Sequence, residues 1–367
     1  VKNIIGDIIY GKKTDKPTLK VFLGFLWLTS LIYRELVTLR TFFYRIGIFP
    51  SYKSEARVIS VGNITVGGTG KTPLVIYLAR ILKASGHRVI ILLRGYHRTG
   101  KGIDIVSDGT KILTAPEKAG DEAVIYTRNL DVPVVVGRNR VLASVLAQKT
   151  FQPDVILLDD GFQHLKLQRD VDIVCIDAVN PFGSGHLLPR GILRESLTAL
   201  QRANLFVVNR ADRLSDKKDL PLWLHSIHPK AQIVMTHHKP IAFIHLQTGK
   251  KISLKQFHKI AERIFTISNI GNPASFLMTI EDLGIRPAGS LTFLDHHRYN
   301  HADIDKIEES ACNAGADCIV ATEKDMVSFP EDKPFTLPVY ILLVEMEIVK
   351  GQDILEKTVF ATNNNSM

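Results

Sequence analysis

Lys71 and Thr72 close a glycine-rich stretch, GNITVGGTGKTP, that runs from Gly62 to Pro73. Gly67, Gly68 and Gly70 let the backbone curl until successive N–H groups face one anion. Thr65, Val66 and Thr69 contribute the remaining loop amides, and the helix that follows adds its positive dipole end. Lys71 is long enough to reach β- and γ-phosphates, and Thr72 offers a hydroxyl to Mg²⁺. The pattern GxxxxGK[ST] asks for glycine at position 65, where this chain carries Thr65. A glycine-rich turn without a ligand is the alternative. The surrounding order weighs against it: a β-branched run at Arg57–Val61, the loop, then a helical spacing of Leu74, Leu78 and Leu82.

A second constellation, PDVILLDDGFQH, spans Pro153 to His164. Val155–Leu158 reads as a strand with Asp159 and Asp160 at its C-terminal end, where open parallel sheets hold their ligands. A carboxylate there, opposite a phosphate loop, is suited to Mg²⁺. Neighbouring side chains on extended backbone point opposite ways, so one aspartate is expected to face the metal and the other an adjoining site. The competing reading is a solvated Asp-Asp-Gly turn.

These residues must be positioned by parallel strands. Candidates are Arg57–Val61, Val89–Leu93, Pro133–Val136, Val155–Leu158, Val171–Ile176 and Leu205–Asn209, alternating with helical segments such as Arg140–Lys149. Beyond a polar boundary at Asp216–Asp219 come strand candidates Gln232–Thr236, Ile264–Ser268, Leu291–Leu294, Cys318–Ala321 and Val339–Val344, with a hairpin at Gly249. Helices are expected at Pro273–Leu283 and Ala302–Ala314. The expected fold class is α/β, a P-loop NTPase-type parallel sheet core with a second, smaller α/β domain. The expected division is residues 1–50, an N-terminal membrane-associated helical segment; 51–215, the core; 216–350, the smaller domain; and 351–367, a tail.

The run VFLGFLWLTSLIY, Val21 to Tyr33, has no charge and is shorter than the roughly 20 residues that span a bilayer. Lys12, Lys13, Lys16 and Lys20 precede it, and Arg34, Arg40 and Arg45 follow among large apolar residues. An amphipathic helix with basic flanks and Trp27 reads as an interfacial anchor. A helix buried on the main domain and a signal peptide are the other readings; no small-residue cleavage site is clear. The net charge of +9 favours anionic partners. No nucleic-acid-binding pattern accompanies it, so a membrane surface accounts for the basic cluster. The three cysteines are in no metal-ligand spacing and suit a reducing compartment.

Several motifs together resemble the tetraacyldisaccharide 4'-kinase family. They are GNITVGGTGKTP, RGY at Arg94–Tyr96, GDE at Gly120–Glu122, VGRNR ending at Arg140, DDGFQH at Asp159–His164 and RDVDIVCID at Arg169–Asp177. FGSGHLLPRGILRE at Phe182–Glu195, FLDHHRY at Phe293–Tyr299 and TEKD at Thr322–Asp325 complete the set. The order is kept from about Leu19 to about Leu343. His97 and Arg190 stand where the family commonly has small residues. The resemblance implies transfer of the γ-phosphate of ATP to the 4'-hydroxyl of a tetraacylated disaccharide 1-phosphate in lipid A assembly. It also implies a peripheral place on the cytoplasmic face of the inner membrane, with the site in a cleft between two domains. A monomer is the expected assembly.

Phosphoryl transfer to an alcohol needs positioning, charge neutralisation and a proton acceptor. Asp121 is the expected base; by resemblance it pairs with His296, which Asp295 orients. Alone, Asp121 is simply a favourable acidic start to a helix. Catalytic roles are further expected for Lys71, Asp159 and Asp160, and substrate contacts for Tyr96, Glu122, Arg140, Gln163, His164 and Arg194. Guanidinium forks suit phosphate oxygens. Glu195 is expected as a second Mg²⁺ ligand or as an arginine's partner. Two rivals stand beside this reading. VVNRAD, Val207 to Asp212, copies the spacing of a guanine-reading NKxD loop through Asn209 and Asp212 and would suit a GTPase or metallochaperone-type switch. A membrane-attached nucleotide-binding protein without catalysis is the other.

Overall fold

The structure, a computed structural model, describes residues 17–96, 98–214 and 219–361. Lys12, Lys13, Lys16, His97, Asp216–Lys218 and the tail residues Thr362–Met367 lie outside the described residues.

Helix α1 covers Pro17–Arg45. The first half of the sheet follows as β1 (Arg57–Gly62), α2 (Lys71–Ala84), β2 (Val89–Leu93), β3 (Ile103–Asp108), α3 (Pro116–Ala119), α4 (Asp121–Asn129), β4 (Pro133–Gly137), α5 (Arg140–Phe151), β5 (Val155–Asp159), β6 (Val171–Asp177) and β7 (Leu205–Asn209). Then come α6 (Asp219–Ile227), β8 (Gln232–His245), β9 (Lys251–Ser253), α7 (Leu254–Ile260), β10 (Ile264–Ser268), α8 (Pro273–Asp282) and β11 (Gly289–Thr292). The chain continues through α9 (His301–Asn313), β12 (Cys318–Thr322), α10 (Glu323–Met326), β13 (Val339–Lys350) and α11 (Gln352–Phe360).

Among the described residues the strands form one mixed sheet, ordered β11-β10-β12-β13-β8-β7-β6-β1-β5-β2-β4-β3, with β9 on β8. The central strands of the first half are parallel, largely apolar and buried along almost their whole length, as strands covered on both faces must be. The second half does not build a separate sheet. Strand β8 pairs parallel with β7 through Gln232–Met235 and then antiparallel with β13 as far as His245. Sequence reasoning ended this strand at Thr236, before the run His237, His238, Lys239, Pro240. Pro240 is tolerated because it sits beside a register shift between Leu343 and Val344. The antiparallel edge strand β3, with a mixed pattern, was not expected from sequence. Strand β11 begins two residues before the expected Leu291.

One expectation for the chain ends is corrected. Residues 352–360, assigned to a tail, form α11, whose Leu355 and Val359 are fully buried in the core of the first half. The N-terminal helix, 29 residues long, lies within the expected segment 1–50 and carries the uncharged run Val21–Tyr33 on through Arg34–Arg45. Its segment Lys20–Arg45 is, by length and composition, apolar enough to cross a membrane. Val21, Phe25, Leu28, Ile32 and Leu36 are all more than half exposed. The helix meets the body through buried Ser30, the Tyr33 hydroxyl donating to Arg194 O (3.0 Å) and Arg40 donating to Gln163 O (2.9 Å).

Candidate active site

The phosphate loop joins β1 to α2. Gly70 sits at φ 80°, a left-handed turn that glycine adopts without strain, and a Cβ there would lie 2.6 Å from Asn209 Nδ2. That close approach is used: Asn209, buried at the end of β7, donates to Thr69 O and accepts from Thr236 Oγ1. Both functions of the Asn209 amide are thereby engaged in bracing the loop. Thr65 replaces the expected glycine because this part of the loop is stitched to LLPRGILRE. Thr65 forms a β-bridge with Leu193, and Val66 N donates to Ile192 O (2.8 Å). Lys71 Nζ lies 3.4 Å from Asn63 Oδ1 and 3.7 Å from Asp160 Oδ1.

Asp159 and Asp160 have different surroundings. Asp160 is not on extended backbone, as expected, but at φ 50°. This turn sends its carboxylate to Arg194 Nη1 (2.8 and 2.9 Å) and to Lys71. Burial opposes its charge, yet Lys71, Arg194 and Arg140 together bring its pKa down to about 2. Asp159 is buried, and its pKa is pushed up to about 7 by burial, with Glu122 adding to the rise. The Tyr126 hydroxyl donates to Asp159 Oδ2 (2.8 Å) and is also hydrogen-bonded to Thr72. The phenol thus links the two groups expected to hold Mg²⁺. Asp159 Oδ1 and Thr69 Oγ1 are buried without a hydrogen-bond partner. An acidic oxygen left open, on a carboxylate that shares the Tyr126 hydroxyl with Thr72, fits a hard, oxygen-seeking cation.

Arg140 is buried, not a surface arginine, and its guanidinium lies 3.5 Å from Asp160 O. Burial also draws the pKa of His164 down to about 3, with Arg140 and Arg169 adding to the effect. This imidazole is therefore neutral in the folded chain. Gln163 donates to Asn63 O (2.8 Å), so its amide nitrogen supports the loop base. Glu195 takes the second of its expected roles: Arg202 Nη1 donates to its Oε2 at 2.7 Å, and the same guanidinium covers the Phe162 ring.

The second half brings His296 to the first. His296 Nδ1 lies 3.8 Å from Asp121 Oδ2, and Arg298 Nη2 lies 3.7 Å from Asp121 Oδ1. The Tyr96 and His296 rings stack with centroids 5.6 Å apart. Asp295 Oδ1 lies 3.8 Å from His296 Nε2. The same region touches the phosphate loop, because a Cβ on Gly271 would lie 2.6 Å from Gly68 N. Asp121, His296 and Tyr96 therefore gather near the phosphate loop, with Asp159, Asp160, Arg140 and Arg194 along the first half's strand ends.

Sequence reasoning missed Asn63, Tyr126, Arg298 and Lys324. Tyr126 lies five residues after Asp121 on a helix, and its apolar ring gave no sign that its hydroxyl meets a strand end. Asn209 was noticed for base recognition, whereas the structure uses it on the loop.

A sequence profile of tetraacyldisaccharide-1-P 4'-kinases matches residues 22–362. A tetraacyldisaccharide 4'-kinase of Syntrophus aciditrophicus is 42% identical over 343 residues, covering 90% of each chain. That of Halothermothrix orenii is 39% identical over 355 residues, covering 92% of each. The crystal structure of the Aquifex aeolicus enzyme in complex with ATP superposes with a TM-score of 0.73 at 27% identity, covering 92% of this chain and 98% of that one. With the motifs in order and the match running nearly end to end, this chain belongs to the tetraacyldisaccharide 4'-kinase family, ATP-dependent kinases of lipid A biosynthesis.

Proposed function

We propose that this chain transfers the γ-phosphate of ATP to the 4'-hydroxyl of a tetraacyldisaccharide 1-phosphate, with Asp121 as the base. The observation that carries the reading is the meeting of Asp121 with His296 across the two halves, beside the phosphate loop. The loop amides from Thr65 to Thr72 and the Lys71 ammonium hold the triphosphate. Thr72 and Asp159 are the ligands for Mg²⁺, which when bound draws charge off the phosphate oxygens. Asp160 keeps Arg194 and Lys71 oriented, and Arg140 and Arg194 face the anionic groups of the two substrates. Tyr96, Glu122, Gln163 and His164 border the disaccharide. Asp121 accepts the hydroxyl proton while His296 steadies the carboxylate.

Helix α1 lies on the cytoplasmic face of the inner membrane, with its apolar residues in the acyl region and Arg34, Arg40 and Arg45 at the headgroups. Tyr33 and Arg40 reach Arg194 and Gln163 from this helix, so the lipid's headgroup is delivered to the residues that receive it. The chain works as a monomer.

A radiolabelled-ATP assay with a disaccharide 1-phosphate lipid in detergent tests the reading. Lys71→Ala and Asp121→Ala should each lower transfer by about 10²–10⁴-fold, with unchanged circular dichroism. Undiminished turnover in Asp121→Ala would remove that residue as the base.

A further inference from the structure

The TEKD stretch lies outside the phosphate loop, yet its lysine reaches the proposed base pair. Asp325 is fully buried and makes four hydrogen bonds. Its Oδ1 accepts from Asn269 N (2.7 Å) and the Tyr299 hydroxyl (2.7 Å). Its Oδ2 accepts from Thr322 N (2.8 Å) and Thr322 Oγ1 (2.6 Å). One carboxylate thereby ties the end of β12 to the loop after β10 and to the end of DHHRY. The adjacent Lys324 is fixed in register with Asp295 and His296. Its Nζ lies 2.5 Å from Asp295 Oδ1 and 3.3 Å from His296 Nε2. The two latter atoms are 3.8 Å apart, so the ammonium is closer to each than they are to one another.

An ammonium has donors and no acceptor. The ring nitrogen it faces must therefore present its lone pair, and a neutral imidazole then carries its proton on the other nitrogen. That other nitrogen is Nδ1, the one turned towards Asp121. We infer that Lys324 is a positioning residue that fixes the His296 tautomer, aiming the Nδ1 proton at Asp121. The inference rests on the proposed Asp121–His296 pair and divides the roles within it. With hydrogen on Nδ1, His296 has no lone pair facing Asp121 and does not take a proton from it. The O–H bond of the acceptor breaks, and its proton comes to rest on the Asp121 carboxylate. The acceptor oxygen forms the new P–O bond, and the electron pair of the broken β–γ bridge leaves on ADP. The proton on Asp121 returns to water after release.

The test uses the full chain in detergent with isotope-labelled histidine, the His296 signals being identified by their loss in His296→Gln. Wild type is expected to show a protonated Nδ1 and a bare Nε2. Lys324→Met should shift His296 towards the opposite tautomer and lower kcat by about 10- to 100-fold, with KM for ATP within about twofold. Lys324→Arg, still a donor only, should preserve the wild-type spectrum. Should Lys324→Met fail to fold, Lys324→Gln carries the same comparison, since its amide offers an acceptor as well as a donor. A protonated Nε2 in wild type, or a spectrum indifferent to the loss of the lysine, overturns the inference whatever the rate. A tautomer that moves as expected while kcat stays constant overturns the Asp121–His296 reading instead and leaves the lysine's hold on the ring standing.

Discussion

Asp160 and His296 are both held at positive φ, 50° and 61°, a region that residues with a Cβ rarely enter. Each is kept there by partners on both sides, Arg194 and Lys71 for Asp160, Tyr96 and Lys324 for His296. Backbone held in such conformations concentrates at functional sites. Asp159 shows the electrostatic counterpart. Its carboxyl titrates near 7 instead of its ordinary 3.8, because burial disfavours the charge. The folded chain therefore keeps a proton that the unfolded chain releases, and Asp159 costs stability as pH rises from about 4 to about 7. Asp159→Asn should remove that slope. In metal-free buffer at about pH 8 the variant is expected to melt several degrees above wild type, converging with it near pH 4, by calorimetry. The same variant should lose Mg²⁺-dependent transfer. Asn209→Ala removes both hydrogen bonds that brace the phosphate loop. It should cost about 1–3 kcal/mol by urea unfolding and raise KM for ATP more than KM for the lipid.

At the scale of elements, α1 and the turn before α8 have the clearest tasks. The exposed apolar residues of α1 join none of the buried core clusters of the described residues, so their replacement spares the core. Phe25→Asp with Leu28→Asp should reduce sedimentation with anionic vesicles by about tenfold or more, since each buried apolar side chain contributes roughly 1.5–3 kcal/mol. KM for ATP should not change, and unaltered vesicle binding would refute the interfacial role of this helix. Gly271 lets the second half approach the phosphate loop, where a Cβ would meet Gly68 N at 2.6 Å and Asp295 Oδ2 at 3.0 Å. Both contacts are below van der Waals distance, and the first is to backbone that cannot swing aside. Gly271→Ala should therefore widen the gap between the halves and lower kcat/KM for ATP. Its melting temperature should fall by only a few degrees, corresponding to about 1–3 kcal/mol of overpacking.

Across the whole molecule, the long strands β8 and β13 join the halves into one sheet, and α11 returns from β13 to the first half. Arg57, at the start of β1, donates to Val359 O and Thr358 O at the end of this helix. The strand that leads into the phosphate loop is thus tied to the last helix of the described chain. Leu355→Ala should destabilise the protein by about 2–5 kcal/mol in urea unfolding, the range for emptying a buried leucine site. If α11 were a dispensable tail, the variant would unfold at the wild-type denaturant concentration.

The phosphate loop, the acidic strand end and the parallel strands around them were legible because each is a local pattern: β-branched runs, glycines before Lys71, aspartates after an apolar strand. Such patterns follow from backbone geometry within a few residues. The family motifs carried Asp121 and His296, although spacing alone gave no reason to join them. Only the tertiary structure decided what depends on approach between distant segments. It joined both halves through β8 past Pro240, gave Asp160 to Arg194 and Lys71, engaged Glu195 with Arg202, and set Tyr126 between Asp159 and Thr72. A carboxylate or a phenol takes its role from the partner that desolvates or neutralises it. Except for Arg202, seven residues from Glu195, that partner lies tens of residues away, so sequence named the groups while packing assigned their work.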